Sequence, residues 1–132
     1  MPNQGYRSVE VTVINDTRGD LTVNSPGTAA GSTWIQGEKA TQGDGLNQYA
    51  SSVWGVSTND PQGTAMGHAQ LTGLGSFPVA LQFVNNHNGN SDCNLTDNDQ
   101  VTGHITMIDT GERNHSAFTV QLVPLVQAAK PS

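Results

Sequence analysis

The sequence predicts an all-β fold, an antiparallel β-sandwich. Apolar and polar residues alternate strictly through residues 9–13, which is the pattern of a half-buried strand. Charged residues make up only 12% of the chain, and the polar residues are mainly Asn, Thr, Gly, Ser and Gln, which favour turns and strands over helices. No segment has a helical repeat, and short strand patterns separated by turn residues are typical of a sandwich or barrel.

The bulk properties indicate one domain that does not bind nucleic acid. The 132 residues match the size of a single domain, and we expect one β-sandwich over 1–132 with loose termini at about 1–6 and 127–132. The net charge is -6, with only 5 Lys and Arg, so neither nucleic acid nor an anionic membrane would attract the protein by charge. A lipid ligand would have to be held by head-group or apolar contacts.

The start of the chain and its cysteine content constrain the compartment. The N-terminal residues have no signal-peptide pattern, and no apolar run is long enough to span a membrane. We therefore expect synthesis in the cytoplasm of the producing cell and action outside it. The single cysteine, Cys93, excludes an intramolecular disulfide and a cysteine-based zinc site.

The strand pattern can be followed along the chain. Residues 9–13 and 21–23 are predicted to form a hairpin around 15–20, with Gly19 in the left-handed region. Further strands are expected at 32–36, 48–56 and 64–72, and the run 77–84, apolar on both faces, predicts a central strand. The segment 85–100 is predicted to be a long polar loop, followed by a hairpin of 101–109 and 118–125 around 110–114. The expected core is Val9, Val11, Val13, Leu21, Val23, Val53, Leu81, Phe83, Ile105, Met107, Phe118, Val120 and Leu122.

No motif in the chain points to catalysis. The sequence has no nucleophile elbow, zinc-helix motif, phosphate loop or dinucleotide fingerprint, and its four histidines have no metal-ligand spacing. We predict a binding protein rather than an enzyme, with no cofactor and no metal. The segment with Asp92, Asn94, Asp97, Asn98 and Asp99 offers oxygen ligands suited to calcium, but it lacks the EF-hand pattern, which favours a solvated turn region. The tripeptide 18–20, Arg-Gly-Asp, is likewise interpreted as a turn.

The aromatic residues of the first half suggest a binding surface. Trp34, Tyr49 and Trp54 lie near Gly-rich loops, and amphipathic rings at loop-bearing ends suit sugar stacking or lipid head-group contact. These three residues are the predicted membrane- or ligand-binding site. An equally weighted alternative is that the rings fill the ends of the sandwich.

Several short motifs resemble one family when taken in order. They are the strand and Asn-x-Thr turn of 7–17, Thr33-Trp34, the Gly-Thr-x-Gly-like run in 59–67, the strand end 83–86 and the closing strand 118–121. Together they resemble the aegerolysin family, and most closely the bacterial branch that supplies the smaller component of two-component insecticidal crystal toxins. The Cys-Pro-Trp-Gly-type segment of fungal members is missing, so fungal-type sphingolipid specificity is not implied.

The resemblance implies a fold and a function. It implies an antiparallel sandwich like that of the actinoporins. It also implies a cytolytic or insecticidal protein that recognises a lipid or receptor of a target membrane and acts with a larger partner that completes a pore. Self-association stays open. The alternative is a carbohydrate-binding lectin, because Asn- and Asp-rich loops beside aromatic rings suit sugar hydroxyls equally well.

Overall fold

The computed structural model describes residues 5–88 and 90–125 as strands joined by turns and loops. Within these residues no helix is long and apolar enough to cross a membrane. The strands are β1 (Arg7–Asn15), β2 (Leu21–Thr28), β3 (Thr33–Trp34), β4 (Gly45–Leu46), β5 (Ser51–Thr58), β6 (Ala65–Thr72), β7 (Val79–Asn85), β8 (Ser91–Thr96), β9 (Val101–Ile108) and β10 (His115–Pro124).

The strands form two sheets of five that pack face to face. The first sheet has the order β3-β5-β1-β10-β9, and the second has the order β4-β2-β6-β7-β8. All pairs are antiparallel except β1 and β10, which run parallel. The predicted all-β sandwich is confirmed, with one parallel pair at the centre of the first sheet that the alternation of residues does not reveal.

The core lies between the two sheets and follows from the alternation within each strand. Val9, Val11 and Val13 of β1 are fully buried, and their neighbours in register, such as Trp54 and Phe118 opposite Val11, share that face because paired residues project to the same side. Most of the predicted core is buried accordingly: Val9, Val11, Val13, Leu21, Val23, Leu81, Phe83, Phe118, Val120 and Leu122.

Three predicted core residues are exposed instead. Val53 is 42% exposed because it pairs with Thr12 and so projects from the outer face of the first sheet. Ile105 and Met107 are 38% and 59% exposed, although they pair with the buried Val120 and Phe118. Both therefore face inwards, but β9 is an edge strand and the second sheet does not cover them.

The predicted hairpin of the first two strands is wrong. β1 belongs to the first sheet and β2 to the second, so residues 16–20 cross from one sheet to the other, and Gly19 is not in the left-handed region. Asn15, fully buried, organises the crossing: its Nδ2 donates to the carbonyl oxygens of Gly19 at 2.9 Å and Leu46 at 2.8 Å. Alternation identifies a strand but not its partner.

The segment 85–100, predicted to be a loop, contains the edge strand β8. Its inward positions include Cys93, 6% exposed, and Leu95, while Asp92, Asn94 and Thr96 face solvent. An edge strand with one face exposed to solvent needs few apolar residues. The polar composition of this segment therefore predicted a loop where the structure has β8. β7 pairs with both β6 and β8, so it is an internal strand as predicted, and β9 and β10 form the predicted hairpin.

The termini are described in part. The expectation of loose ends at 1–6 and 127–132 falls mostly on residues outside the described ranges. Tyr6 lies within them, and its amide donates to the carbonyl of Thr58 at 2.9 Å.

A short strap, residues 35–38, continues the first sheet beyond β3. The amide of Ile35 donates to the Gly55 carbonyl, and the amide of Gly55 donates to the Glu38 carbonyl, both at 2.9 Å. A Cβ at Gly55 would lie 2.8 Å from Glu38 Oε1, so the glycine lets the Glu38 carboxyl lie flat on the sheet beside Glu10. Burial, followed by a hydrogen bond with Glu10 and the charge of that residue, raises the pKa of Glu38 to about 8.

A second amide side chain, Asn98, lies at the same end of the sandwich as the crossing that Asn15 organises. Asn98 is 4% exposed and its Nδ2 donates to the carbonyl oxygens of Leu74 at 2.8 Å and Phe77 at 2.6 Å. Its Oδ1 accepts from the amides of Gln100 and Val101, both at 2.8 Å. Asn98 thereby joins the β6–β7 loop to the start of β9.

We expect Asn98→Ala to lower the free energy of unfolding by about 2–3 kcal/mol, because it leaves buried carbonyl and amide groups unpaired. Urea denaturation, read as the shift in midpoint, measures this. The control is Asn94→Ala on the exposed face of β8, for which we expect a change within about 0.5 kcal/mol. Equal midpoints for the two variants would contradict the role of Asn98.

We expect stability to fall with rising pH because of Glu38. Below about pH 4.5 the carboxyl is protonated in both states. Between 4.5 and about 8 the unfolded chain ionises while the folded protein keeps its proton, so rising pH favours unfolding, and the loss is complete above that window. We expect the free energy of unfolding to fall by roughly 1–2 kcal/mol in total over this window, because solvent screens the partly exposed carboxyl. Melting temperatures across this pH range should fall with a shallower slope in Glu38→Gln than in the wild type, and equal slopes for the two proteins would contradict the role of Glu38.

Candidate functional site

The three predicted binding aromatics do not form one surface. Trp34 pairs with Val56 near the end of β5, whereas Tyr49 precedes the start of that strand and donates its amide to the carbonyl of Asn15. Five residues of strand, roughly 17 Å, separate the two positions. Trp54 lies between them along β5 but projects into the core, where it is 4% exposed.

The surroundings of each ring differ accordingly. Trp54 belongs to the core, and Trp34 is partly buried and packs against it, which favours the alternative that these rings fill the sandwich. Tyr49 is 75% exposed and has a φ of 70°, a left-handed conformation that turns the chain into β5. Of the three predicted residues, Tyr49 alone has an exposed ring that a ligand could contact.

The acidic segment is used within the fold. Asp99 accepts hydrogen bonds from the amide and hydroxyl of Ser76 at 2.7 and 2.6 Å, and these bonds lower the pKa of its carboxyl. Asn98 is fully occupied as described above. Among the residues that the structure describes, no group of three or more His, Cys, Asp or Glu side chains is placed to hold a metal ion. The prediction of a turn region fits Asp97, Asn98 and Asp99, whereas Asp92 and Asn94 lie in β8.

The Arg-Gly-Asp tripeptide also has a local role. Asp20 accepts a hydrogen bond from the amide of Gln48 at 2.8 Å, while Arg18 is exposed. The residues belong to the crossing between the two sheets, as part of a turn that is not the predicted hairpin.

One end of the sandwich gathers cationic side chains and exposed apolar residues, and we call it the arginine end. The strand directions bring the start of β1, the ends of β5, β7 and β9, and the starts of β6, β8 and β10 to this end. Arg7 begins β1 and Arg113 lies in the β9–β10 loop. The segments at this end are 5–7, 59–64, 86–88 and 109–114.

Arg7 is a buried cation held by carbonyl groups. It is 3% exposed, and its guanidinium donates to the carbonyl oxygens of Gly63, of Pro61 at 3.4 Å and of His87 at 3.3 Å. The Nε atom is buried with no hydrogen-bond partner in the described structure, and Cζ lies 5.4 Å from the centre of the Tyr6 ring. A buried charge neutralised only by dipoles raises the local potential and attracts an anion.

Arg113 lies beside three cavities. One of them, about 370 Å³, is lined by the β9–β10 loop itself, at Glu112, Arg113, Asn114 and His115. The first of the remaining two has a volume of about 280 Å³ and is lined by Tyr6, Arg7, Pro61, Gln62, His87, Asn88, Arg113 and Asn114, with no carboxylate among them. The other, about 450 Å³, lies where the sheets part between β8 and β9 and is lined by Ser91, residues 107–113 and Ser116. Within the described residues no hydrogen bond or ion pair occupies the exposed Arg113 guanidinium, so it is available to a ligand.

These last two cavities differ in chemical character. The smaller has the exposed Arg113, polar groups and the positive potential of the buried Arg7, which suits a phosphate or another anion. The larger has Met107 and Ile108 on one side and Asp109 and Glu112 in its loop wall, which suits an apolar group and a cation. The arginine end can therefore hold an amphipathic ligand that carries both charges.

Sequence reasoning missed this site because its two arginines lie near opposite ends of the chain. Only the parallel pairing of β1 with β10 brings Arg7 beside the loop that carries Arg113. The scarcity of cations, with only 5 Lys and Arg in the chain, is the one signal in the sequence that points to its arginines.

A serine–histidine pair also lies at this end. Ser8 Oγ is 2.8 Å from His115 Nδ1. The serine is 1% exposed, so its hydroxyl is not accessible to a substrate in this conformation. Its position fits a bond that ties β1 to β10.

Comparisons with known proteins identify a fold neighbour but no family. No family model matches the chain, and no curated protein matches it. Among solved structures, IP-1A from Alcaligenes faecalis is similar, with a TM-score of 0.63 and 14% sequence identity over 92% of this chain and 94% of that chain. This likeness supports the all-β sandwich and, at that identity, extends to the fold alone.

Proposed function

We propose that this protein binds a target membrane through the arginine end by recognising the head group of a lipid. The observation that carries the proposal is the exposed Arg113 guanidinium, which borders three cavities, one of them cationic and another partly apolar. The protein would act as a binding protein rather than an enzyme, outside the cell that makes it.

The apolar residues around Arg113 support contact with a bilayer. Tyr6, Met107 and Ile108 are 45%, 59% and 44% exposed and all lie at this end. Tyrosine is favoured at the interface of a membrane, where its ring meets both lipid and water. The exposed side chains would enter the interface while the charged groups contact the head group.

The charges around Arg113 favour a zwitterionic head group. Arg113 suits the phosphate, and the buried Arg7 adds positive potential beside it. Asp109 and Glu112, in the wall of the neighbouring cavity, suit an ammonium group. This pairing explains how a protein with a net charge of -6 would bind a membrane without general attraction to anionic lipid.

The cytolytic or insecticidal activity rests on the family resemblance of the sequence. We propose that membrane binding recruits a larger protein that completes a pore, as the resemblance implies. The predicted contact residues change: Arg113 and its apolar neighbours replace Trp34 and Trp54, and Tyr49, exposed at the other end of the sandwich, is a second contact point to be tested.

We expect the protein to float with vesicles of phosphatidylcholine and phosphatidylethanolamine, and Arg113→Ala to weaken this binding about tenfold or more, because a charge-assisted contact to phosphate contributes at least 1.4 kcal/mol. Soluble phosphoethanolamine should compete. The matched control is Arg18→Ala, which removes an exposed arginine at the opposite end and should bind as the wild type does.

Other outcomes of the flotation experiment are equally informative. If Tyr49→Ala weakens binding and Arg113→Ala does not, the contact surface lies at the opposite end. Competition by galactose but not by phosphoethanolamine would favour the lectin alternative. No flotation with any of these vesicles would contradict lipid recognition, and the absence of dye release by the protein alone would agree with the need for a larger partner.

A further inference from the structure

The strand β9 forms an open edge of the first sheet. Unpaired edges invite pairing with another chain, and proteins usually protect them by charge, proline or short length. In the described structure β3 and β4 are two-residue edges, and β8 carries Asp92. β9 is eight residues long and has neither a proline nor an Asp, Glu, Lys or Arg side chain. Of these four edges, it is the one left unprotected.

The hydrogen bonds at the start of β9 show which main-chain groups face the open edge. The amide of Leu125 donates to the Gln100 carbonyl at 2.9 Å, which continues the β9–β10 register. Bonded pairs alternate along an antiparallel ladder, so the even-numbered residues 102–108 bond to β10 and the odd-numbered residues point away. Val101 follows this alternation, because its main-chain groups bond to Asn98 and not to β10: its amide donates to Asn98 Oδ1 and its carbonyl accepts from the Asn98 amide.

The main-chain groups of Gly103, Ile105 and Met107 therefore face the open edge. Ile105 and Met107 are also the inward-facing side chains that the second sheet leaves 38% and 59% exposed. The same three residues thus present both unpaired donors and acceptors and uncovered apolar surface.

We propose that β9 is the contact surface of a homodimer, in which two copies pair antiparallel about a two-fold axis at Ile105. In this register Ile105 pairs with Ile105 of the second copy, and Gly103 pairs with its Met107. All three open positions on each chain become hydrogen-bonded, and the two first sheets join into one. The proposal rests on the edge of β9 and does not require lipid recognition, but the second copy would cover Met107 and leave the apolar contact with a membrane to Tyr6 and Ile108.

Side chains in this register complement one another. A Cβ at Gly103 would lie 2.6 Å from Leu95 Cδ2, so Leu95 fills the space over this glycine. Met107 of the second copy would lie beside Gly103 and contact Leu95, which gives each exposed methionine an apolar neighbour. A bulky residue meets a residue without a side chain, and the two isoleucines meet at the axis.

Charge favours a second copy on this edge. Two chains of net charge -6 repel each other over most of their surfaces, and an uncharged strand is where that repulsion is least. Antiparallel pairing also points the two arginine ends in opposite directions, which separates their acidic loops.

We expect the full chain to sediment as a dimer that dissociates on dilution, and Ile105→Pro to weaken association by at least about tenfold. The proline removes an amide that bonds to nothing within one copy, so the monomer should fold, while two of the bonds between copies are lost. Ile105→Lys tests the same position by charge, and its matched control is Val53→Lys, which has similar exposure on the outer face of β5 and should remain dimeric.

Disulfide formation tests the register. Ile105→Cys should oxidise to a covalent dimer, because directly opposite residues have Cα atoms about 5.5 Å apart. His104→Cys should not, because the equivalent residues are offset by two positions and lie beyond about 7 Å. Burial raises the pKa of Cys93 to about 12, so the native thiol should stay unreactive. A wild type that sediments as a monomer at every concentration, or a dimer that survives both Ile105→Pro and Ile105→Lys, would overturn the proposal.

Discussion

The parallel pairing of β1 with β10 is the contact on which the rest of the structure depends. It joins β5 on one side to the β9–β10 hairpin on the other, and without it the first sheet would separate into two pieces. The pairing also positions the arginine end, because Ser8 lies opposite His115 and Arg7 therefore lies beside the β9–β10 loop. The two strands are nearly the full chain apart in sequence, so this contact closes the largest loop in the fold and carries a correspondingly large entropy cost.

Asparagine side chains stabilise the connections that the strands leave open. Asn15 and Asn98 hold the loops at the end of the sandwich where the chain crosses between the sheets. At the arginine end Asn85, fully buried, donates to the carbonyl oxygens of Ser8 at 3.1 Å and Arg113 at 3.0 Å. An amide has both donors and acceptors, so one buried side chain can satisfy several loop carbonyls and amides without the desolvation cost of a charge.

The fold class could be predicted from sequence because alternation is a local property of each strand. Val9, Val11 and Val13 identify an inward face by themselves, and the β9–β10 hairpin is marked by its own turn. Strand partners are not local: β1 and β2 adjoin in sequence but lie in different sheets, and the composition of β8 gave no sign of a strand. The arginine end was missed for the same reason, since Arg7 and Arg113 meet only through a long-range pairing. Conversely, Trp34 and Trp54 suggested a surface because ring chemistry cannot distinguish an interfacial tryptophan from a core one.

The common direction of β1 and β10 also sets how the protein can be handled on a surface. The described residues begin at Gly5 and Tyr6, beside the cavity that is lined by Arg7. They end at Leu125, at the far end of the sandwich, where the Leu125 amide donates to the Gln100 carbonyl. An anchor or fluorophore attached after residue 125 would therefore present the arginine end freely to the solution. An anchor attached before residue 5 would lie close to the arginine end and could block a ligand from reaching it. The position of the tag therefore decides whether ligand binding to this end can be measured on an immobilised sample.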